Sequence, residues 1–116
     1  MEVEESRYRE WQIYSKETVS TPIIIRLDGN DFHKLQFLRG FRKPFDKRFH
    51  LAMVNVVKEL MKKTEFKASI AYTASDEINL FFPKKFSLPH NGRVEKLLSL
   101  SSAYATSSFQ NHVRGI

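Results

Sequence analysis

No cysteine occurs among the 116 residues, which excludes both a disulfide framework and any thiolate metal site. Glycine and proline are scarce, four of each, and neither repeats nor low-complexity segments appear. No apolar run approaches the roughly 20 residues that cross a bilayer. The N-terminus, MEVEESRYRE, is acidic and mixed, the opposite of a secretory leader or a transit peptide. These absences point to a soluble, cytoplasmic protein with no membrane partner.

What is present is apolar mass and positive charge. Hydrophobic residues make up 41% and aromatics 13%, with ten phenylalanines, enough for a packed core. The length fits one domain, residues 1–116. A core of that size leaves much surface wet, which favours a homo-oligomer, a dimer or tetramer. The net charge of +6 raises the expectation of a polyanionic partner. Its distribution is uneven: Lys34 to Lys63 holds nine basic residues against Asp46 and Glu59. Charge alone fits a solvated helix face equally well.

Periodicity gives an element order. Tyr8, Trp11 and Tyr14 recur at three-residue spacing in an amphipathic helix over Val3 to Lys16. Ile23 to Leu27 is a short continuous apolar run between Pro22 and Gly29, read as a strand buried on both faces. Asn30 to Leu38 suits a short helix or turn ended by Gly40. Phe45, Phe49, Ala52, Met53, Val56, Val57, Leu60 and Met61 then trace one helical stripe, with Pro44 or Asp46 at its start. Phe66, Ala68, Ile70 and Tyr72 alternate as in a half-buried strand. Ile78, Leu80 and Phe82 resume that alternation after Ala74-Ser75-Asp76-Glu77, making a hairpin. Pro83 to Gly92 reads as a loop. From Arg93 a last helix runs through Val94, Leu97, Ser101, Ala105 and Ser108, with Asn91 as a candidate cap and small residues suited to close approach to a sheet. The order is that of an α+β domain, most of a ferredoxin-like split β-α-β-β-α-β sheet without its final strand.

In such a topology the end of the first strand and the turn of the hairpin can share one sheet edge. The first delivers Asp28, the second Asp76 and Glu77. Gathered carboxylates either bind a proton or meet a cation, and Mg²⁺ takes carboxylate, carbonyl and phosphate oxygens. Gly29 frees the backbone beside them, and the N–H groups of Asn30, Asp31, Phe32 and His33 suit a phosphate at a helix start. Taken singly, Asp28-Gly29 and Ser75-Asp76 are ordinary turn chemistry. His50, His90 and His112 show no ligand spacing and receive no role.

Three motifs occur together and in order: Arg26-Leu27-Asp28-Gly29-x-x-Phe32-His33, Lys43-Pro44-x-Asp46, and Ser75-Asp76-Glu77. In these, from about Thr21 to Phe109, the chain resembles the tRNA(His) guanylyltransferase family, including guanylyltransferase-like enzymes that repair RNA 5′ ends. The resemblance implies a polymerase-type palm that adds a nucleotide, GMP from GTP, to the 5′ end of tRNA in the 3′→5′ direction after activation by ATP. It implies two Mg²⁺ ions on Asp28, the Gly29 carbonyl and Asp76, with Glu77 beside them. It further implies triphosphate contacts from Asp28 to His33 and from Ser75 and Asp76, and a part in activation for Lys43 and Asp46. Arg26 is as readily a strand arginine paired with an acid. The sequence departs from the family where Tyr72 is followed by Thr73-Ala74 instead of Gly-Gln, and in lacking the family's downstream strands and its His-Ile-Asn-Asn-type helix. A non-catalytic nucleotide- or RNA-binding module built on that palm, and an unrelated α+β domain with aspartates in turns, are the alternatives.

Overall fold

The computed structural model describes residues 16–29 and 46–114. Three strands, β1 (Ile23–Asp28), β2 (Ile70–Ala74) and β3 (Glu77–Phe82), form an antiparallel sheet in the order β1-β3-β2. Two long helices, α1 (Lys47–Lys63) and α2 (Val94–Val113), cover one face. The connection from β1 through α1 to the β2–β3 hairpin and on to α2 is the expected α+β palm half. The first helix, apart from Lys16, and the segment Asn30 to Leu38 lie outside the described residues.

Helix α1 starts where the sequence can cap it. The Asp46 side chain accepts from the Arg48 backbone N–H at 2.8 Å, satisfying one of the free amides of the first turn. Lys62 and Lys63 close the last turn, the sign that suits the carbonyl end of a helix dipole. Thr64 then donates its hydroxyl to the Leu60 carbonyl at 2.7 Å and accepts from Phe66 N–H at 3.0 Å, so the chain leaves the helix with its polar groups paired. The apolar stripe Phe49, Ala52, Met53, Val56 and Leu60 is buried as the spacing requires. Across from it sit Ile25, Ile78, Leu80 and Phe82 of the sheet and Leu97, Phe109 and Val113 of α2. Each such large side chain contributes about 1.5–3 kcal/mol by leaving water.

Four expectations are corrected. β1 is not buried on both faces: Ile25 is buried, whereas Ile24 is 61% exposed. Among the described residues only one sheet face carries helices, so the alternating side chains divide between core and surface. The alternation read through Phe66, Ala68, Ile70 and Tyr72 does not hold as one strand. Phe66 and Ala68 are core residues of an extended lead-in, while Ile70 and Tyr72 are 59% and 56% exposed. The chain bends at Ser69, whose N–H reaches the Phe81 carbonyl at 2.9 Å, and β2 then pairs in a phase that places Ala71 and Thr73 toward the helices.

The third correction concerns the start of α2. Asn91 does not cap it; the cap position is Arg93, whose side chain makes no capping bond to the first turn. Asn91 and His90 instead hold φ of 54°, and Gly92 holds 72°, left-handed geometry that asparagine tolerates and glycine favours. A Cβ on Gly92 would stand 2.4 Å from the Val19 carbonyl oxygen, so this turn is tied closely to the segment before β1. The small residues of α2 serve a different neighbour from the one expected. The helix packs more extensively on α1 than on the sheet, with Ser101 and Ser108 buried and Phe109 meeting Phe49 edge-on at 5.9 Å.

Candidate functional site

The strand register decides which side chains share a face. Asp28 stands opposite Glu77, Arg26 opposite Asn79, and Ile24 opposite Phe81; on the other side of β3, Ala74, Tyr72 and Ile70 complete those three rows. The face away from the helices therefore reads, row by row, as carboxylates, then Arg26-Asn79-Tyr72, then an apolar row. Rows two residues apart lie about 6.6–6.8 Å from each other along the strands.

Two carboxylates directly opposite across a strand pair repel, and Arg26 answers both. Its Nε stands 3.0 Å from Asp28 Oδ2 and its Nη2 2.5 Å from Glu77 Oε1. Glu77 Oε2 accepts in turn from Asn79 Nδ2 at 2.9 Å, which explains how Asn79 is buried in an otherwise apolar strand. The strand arginine does pair with an acid, and with two of them.

Beyond the ends of the strands the backbone closes the gap between the motifs. Gly29 N–H donates to the Asp76 carbonyl at 3.1 Å, continuing the β1–β3 pairing by one bond. Asp76 sits in the hairpin turn next to Ser75, whose φ of 55° is left-handed, a conformation uncommon outside glycine and asparagine. Asp28, Gly29 and Asp76 line one cleft of about 510 Å³, within the usual size range of small-molecule sites, about 300–1,000 Å³. Leu27 and Ile78 of the sheet, Met53 and Val56 of α1, and Ala105, Phe109 and Val113 of α2 supply its apolar walls; Ser102, Thr106 and Gln110 add polar groups.

The structure thus brings together Asp28, Gly29, Asp76 and Glu77, with Ser75 in the same turn. Asp46 stands at the start of α1. Besides capping α1, it holds the Arg48 guanidinium at 3.2 and 3.0 Å; that hydrogen bond raises the Arg48 pKa above its ordinary value. Asn30, Asp31, Phe32, His33 and Lys43 lie outside the described residues. Thr73, where the motif departs from the family, shares its register with buried Ile78 and donates its hydroxyl to the Glu77 carbonyl at 2.9 Å. It occupies the face opposite the carboxylate row. Five cations of the basic segment, Lys47, Arg48, Lys58, Lys62 and Lys63, are exposed along α1.

Among the described residues no group of three or more histidine, aspartate or glutamate side chains is arranged to hold a metal. The donor set at the sheet end nevertheless suits Mg²⁺, which is commonly held by one or two carboxylates and completed by substrate phosphates. All the oxygens there are hard donors, and Asp28 and Glu77 already converge on one cation, the Arg26 guanidinium.

Sequence reading passed over a second group of acids. Glu59 on α1 accepts from Ser108 Oγ at 2.6 Å and lies 2.8 Å from His112 Nε2, both on α2. Those hydrogen bonds, first from Ser108 and then from His112, hold its carboxyl below the usual range. Glu65 likewise meets His90 Nε2 at 3.0 Å and accepts from Tyr104 at 3.4 Å, and His90 holds it low. The only sequence signal was an i, i+4 Ser108-His112 pair on one helix face.

Comparison with known proteins places this arrangement. The family model described as "Thg1: tRNAHis guanylyltransferase" matches residues 5–116. An uncharacterized protein of Acanthamoeba polyphaga mimivirus is 41% identical over 100 residues, covering 78% of this chain and 33% of its own. The tRNA(His) guanylyltransferase of Saccharomyces cerevisiae is 31% identical over 87 residues, covering 75% and 36%. A bacterial tRNA(His) guanylyltransferase (Thg1)-like protein solved in complex with GTP superposes with a TM-score of 0.81 at 25% identity, over 95% of this chain and 52% of that one; its complex with ATP gives 0.80. The chain spans about a third of the length of these curated relatives and about half that of the structural ones. With its α+β palm half, three ordered motifs and a family match across nearly its whole length, the chain belongs to the tRNA(His) guanylyltransferase family.

Proposed function

We propose that residues 1–116 form the palm portion of a Mg²⁺-dependent nucleotidyltransferase that adds GMP from GTP to the 5′ end of a tRNA, in the 3′→5′ direction, after that end is activated with ATP. The observation that carries the reading is the meeting of Asp28, Gly29 and Asp76 at one cleft end, closed by the Gly29 N–H to Asp76 carbonyl bond. Relatives solved with GTP and with ATP support nucleotides as the substrates.

In this reading Asp28, the Gly29 carbonyl and Asp76 hold Mg²⁺, with Glu77 adjoining. Bound there, two such ions neutralise charge on the attacking and leaving oxygens of a phosphoryl transfer. The chain's own groups position: Ser75, Asp76 and the segment Asn30 to His33 orient the triphosphate, and Lys43 and Asp46 serve activation. Positioning and charge neutralisation are most of what this class of transfer asks of a protein. The exposed cations of α1 meet RNA phosphates, so binding weakens steeply as salt rises. The same reading takes the assembly as a dimer or tetramer, because a core of this size leaves much surface wet; light scattering checks it.

The test is incubation with Mg²⁺, labelled ATP and GTP, and 5′-monophosphorylated tRNA(His). The wild-type chain should label the RNA 5′ end and Asp76→Ala should not; equal labelling by both removes the assignment. GTP binding that needs Mg²⁺ and Asp28, without turnover at any enzyme excess, selects a nucleotide-binding module instead.

A further inference from the structure

We propose that Arg26 is an exchangeable counter-ion for the carboxylate pair: its guanidinium occupies the position between Asp28 and Glu77 until a divalent cation displaces it, and the released side chain then meets the phosphates of the bound nucleotide. This rests on the metal and triphosphate reading above and names a positioning residue within it.

Four observations carry the exchange. First, Arg26 bridges the two acids with separate nitrogens, Nε to Asp28 and Nη2 to Glu77, so one cation neutralises a cross-strand pair that would otherwise repel. Second, the bridge is wet. Arg26 is 61% exposed and Asp28 52%, against 23% for Glu77, and ion pairs in that setting are weakly held. Third, the acids are anchored unequally. Glu77 is fixed from its other oxygen by Asn79, so removing the guanidinium leaves a carboxylate already aimed. Fourth, Arg26 springs from the row next to the carboxylates on the same sheet face, the one turned away from α1 and α2. A guanidinium released there stays within one row, about 7 Å, of whatever the carboxylates hold, and its planar fork suits phosphate oxygens.

The consequence is opposite signs for two ligands. Deleting the guanidinium removes a competitor for the metal and also a partner for the nucleotide. Arg26→Gln should therefore bind Mn²⁺ alone, measured by electron paramagnetic resonance, about fivefold more tightly than wild type. The same variant should bind GTP with Mn²⁺ at least about fivefold more weakly, and Arg26→Lys should lie between in both. In protein labelled with ¹⁵N-arginine, the Arg26 Nε–H signal should move as Mg²⁺ is added, and not in Asp28→Asn.

Mn²⁺ affinity in Arg26→Gln equal to or below wild type, or an Arg26 signal unmoved at saturating Mg²⁺, overturns the exchange. Circular dichroism on Arg26→Gln establishes that the comparison is made on folded protein, and the NMR titration needs no variant at Arg26. Failure of the underlying reading looks different: wild type and Asp28→Asn would then bind Mn²⁺ equally poorly.

Discussion

Among the described residues, two groups of carboxylates are treated in opposite ways. At the seam between the helices, Glu59 is clasped by Ser108 and His112 from the neighbouring helix, and Glu65 by His90 and Tyr104. Every one of those partners comes from a different element, so each bond ties two parts of the fold. At the sheet end, Asp28 and Glu77 are held by Arg26 and Asn79, all from the same two strands that carry the acids. Breaking those bonds separates nothing that the β1–β3 ladder does not already hold. The difference separates acids whose bonds tie elements of the fold together from acids that the proposed function assigns to a cation.

The largest expected effect lies at the sheet end. If the proposed function holds, Asp28→Asn should lower RNA labelling by more than about 100-fold, since a lost metal ligand forfeits several kcal/mol of transition-state charge stabilisation. Its free energy of unfolding in urea should change by no more than about 0.5 kcal/mol, the usual range for surface positions, because the change also removes a like-charge neighbour of Glu77. A large loss of stability with activity retained would break the distinction between the two groups.

The complementary substitution, Glu59→Ala, should cost about 1–2 kcal/mol in urea unfolding. Hydrogen bonds to a charged acceptor contribute about 1.5–3 kcal/mol, and the partial exposure of Glu59 argues for the lower part. Part of the loss is the Ser108 hydroxyl, buried and left without its acceptor. GTP binding should be unchanged. A fall in GTP affinity matching that of Asp28→Asn would merge the two groups into one.

These two groups were not equally legible in the sequence. The sheet-end acids could be found because strand order fixes where strand ends go: Asp28 closes an apolar run, Asp76 sits in a two-residue turn, and a β-α-β-β path returns one beside the other. The stripe on α1 was legible for the same reason, since spacing alone selects its face. What failed was anything set by packing between elements. Ile24, Ile70 and Tyr72 have the letters of core residues, yet they are exposed because the face they lie on carries no helix among the described residues. The phase of β2 was hidden because the bend at Ser69 leaves no composition signal. The partners of Glu59 were hidden because they depend on how α1 and α2 are rotated against each other.

The pH dependence of stability should sharpen the comparison further. Ser108 and His112 lower the Glu59 pKa, and His90 lowers that of Glu65, both from an ordinary value of 4.5. A depressed folded-state value means the unfolded chain binds the proton more readily. The stabilisation is therefore fully present above about pH 4.5 and is lost as pH falls through the lower folded-state values. Urea midpoints for wild type should decline across that acid window, and Glu59→Gln should decline less steeply from a lower starting stability. An unchanged slope would mean the seam acids do not carry the acid response.

The smallest effect separates bonding from packing inside the seam itself. Tyr104 reaches Glu65 over a long 3.4 Å and is exposed, and its ring meets Phe66 edge-on at 6.0 Å. Its hydroxyl pKa is raised, chiefly by desolvation and then by the Glu65 charge. A long, wet hydrogen bond contributes at the bottom of the usual range, so Tyr104→Phe should unfold almost together with wild type. Tyr104→Ala removes the ring contact with fully buried Phe66 as well, and edge-to-face pairs contribute about 0.5–1.5 kcal/mol beyond area. The alanine variant should therefore be clearly less stable than the phenylalanine one. If the two melt together, the aromatic ring contributes nothing and the seam at this point is held by its charges, as the sheet end is.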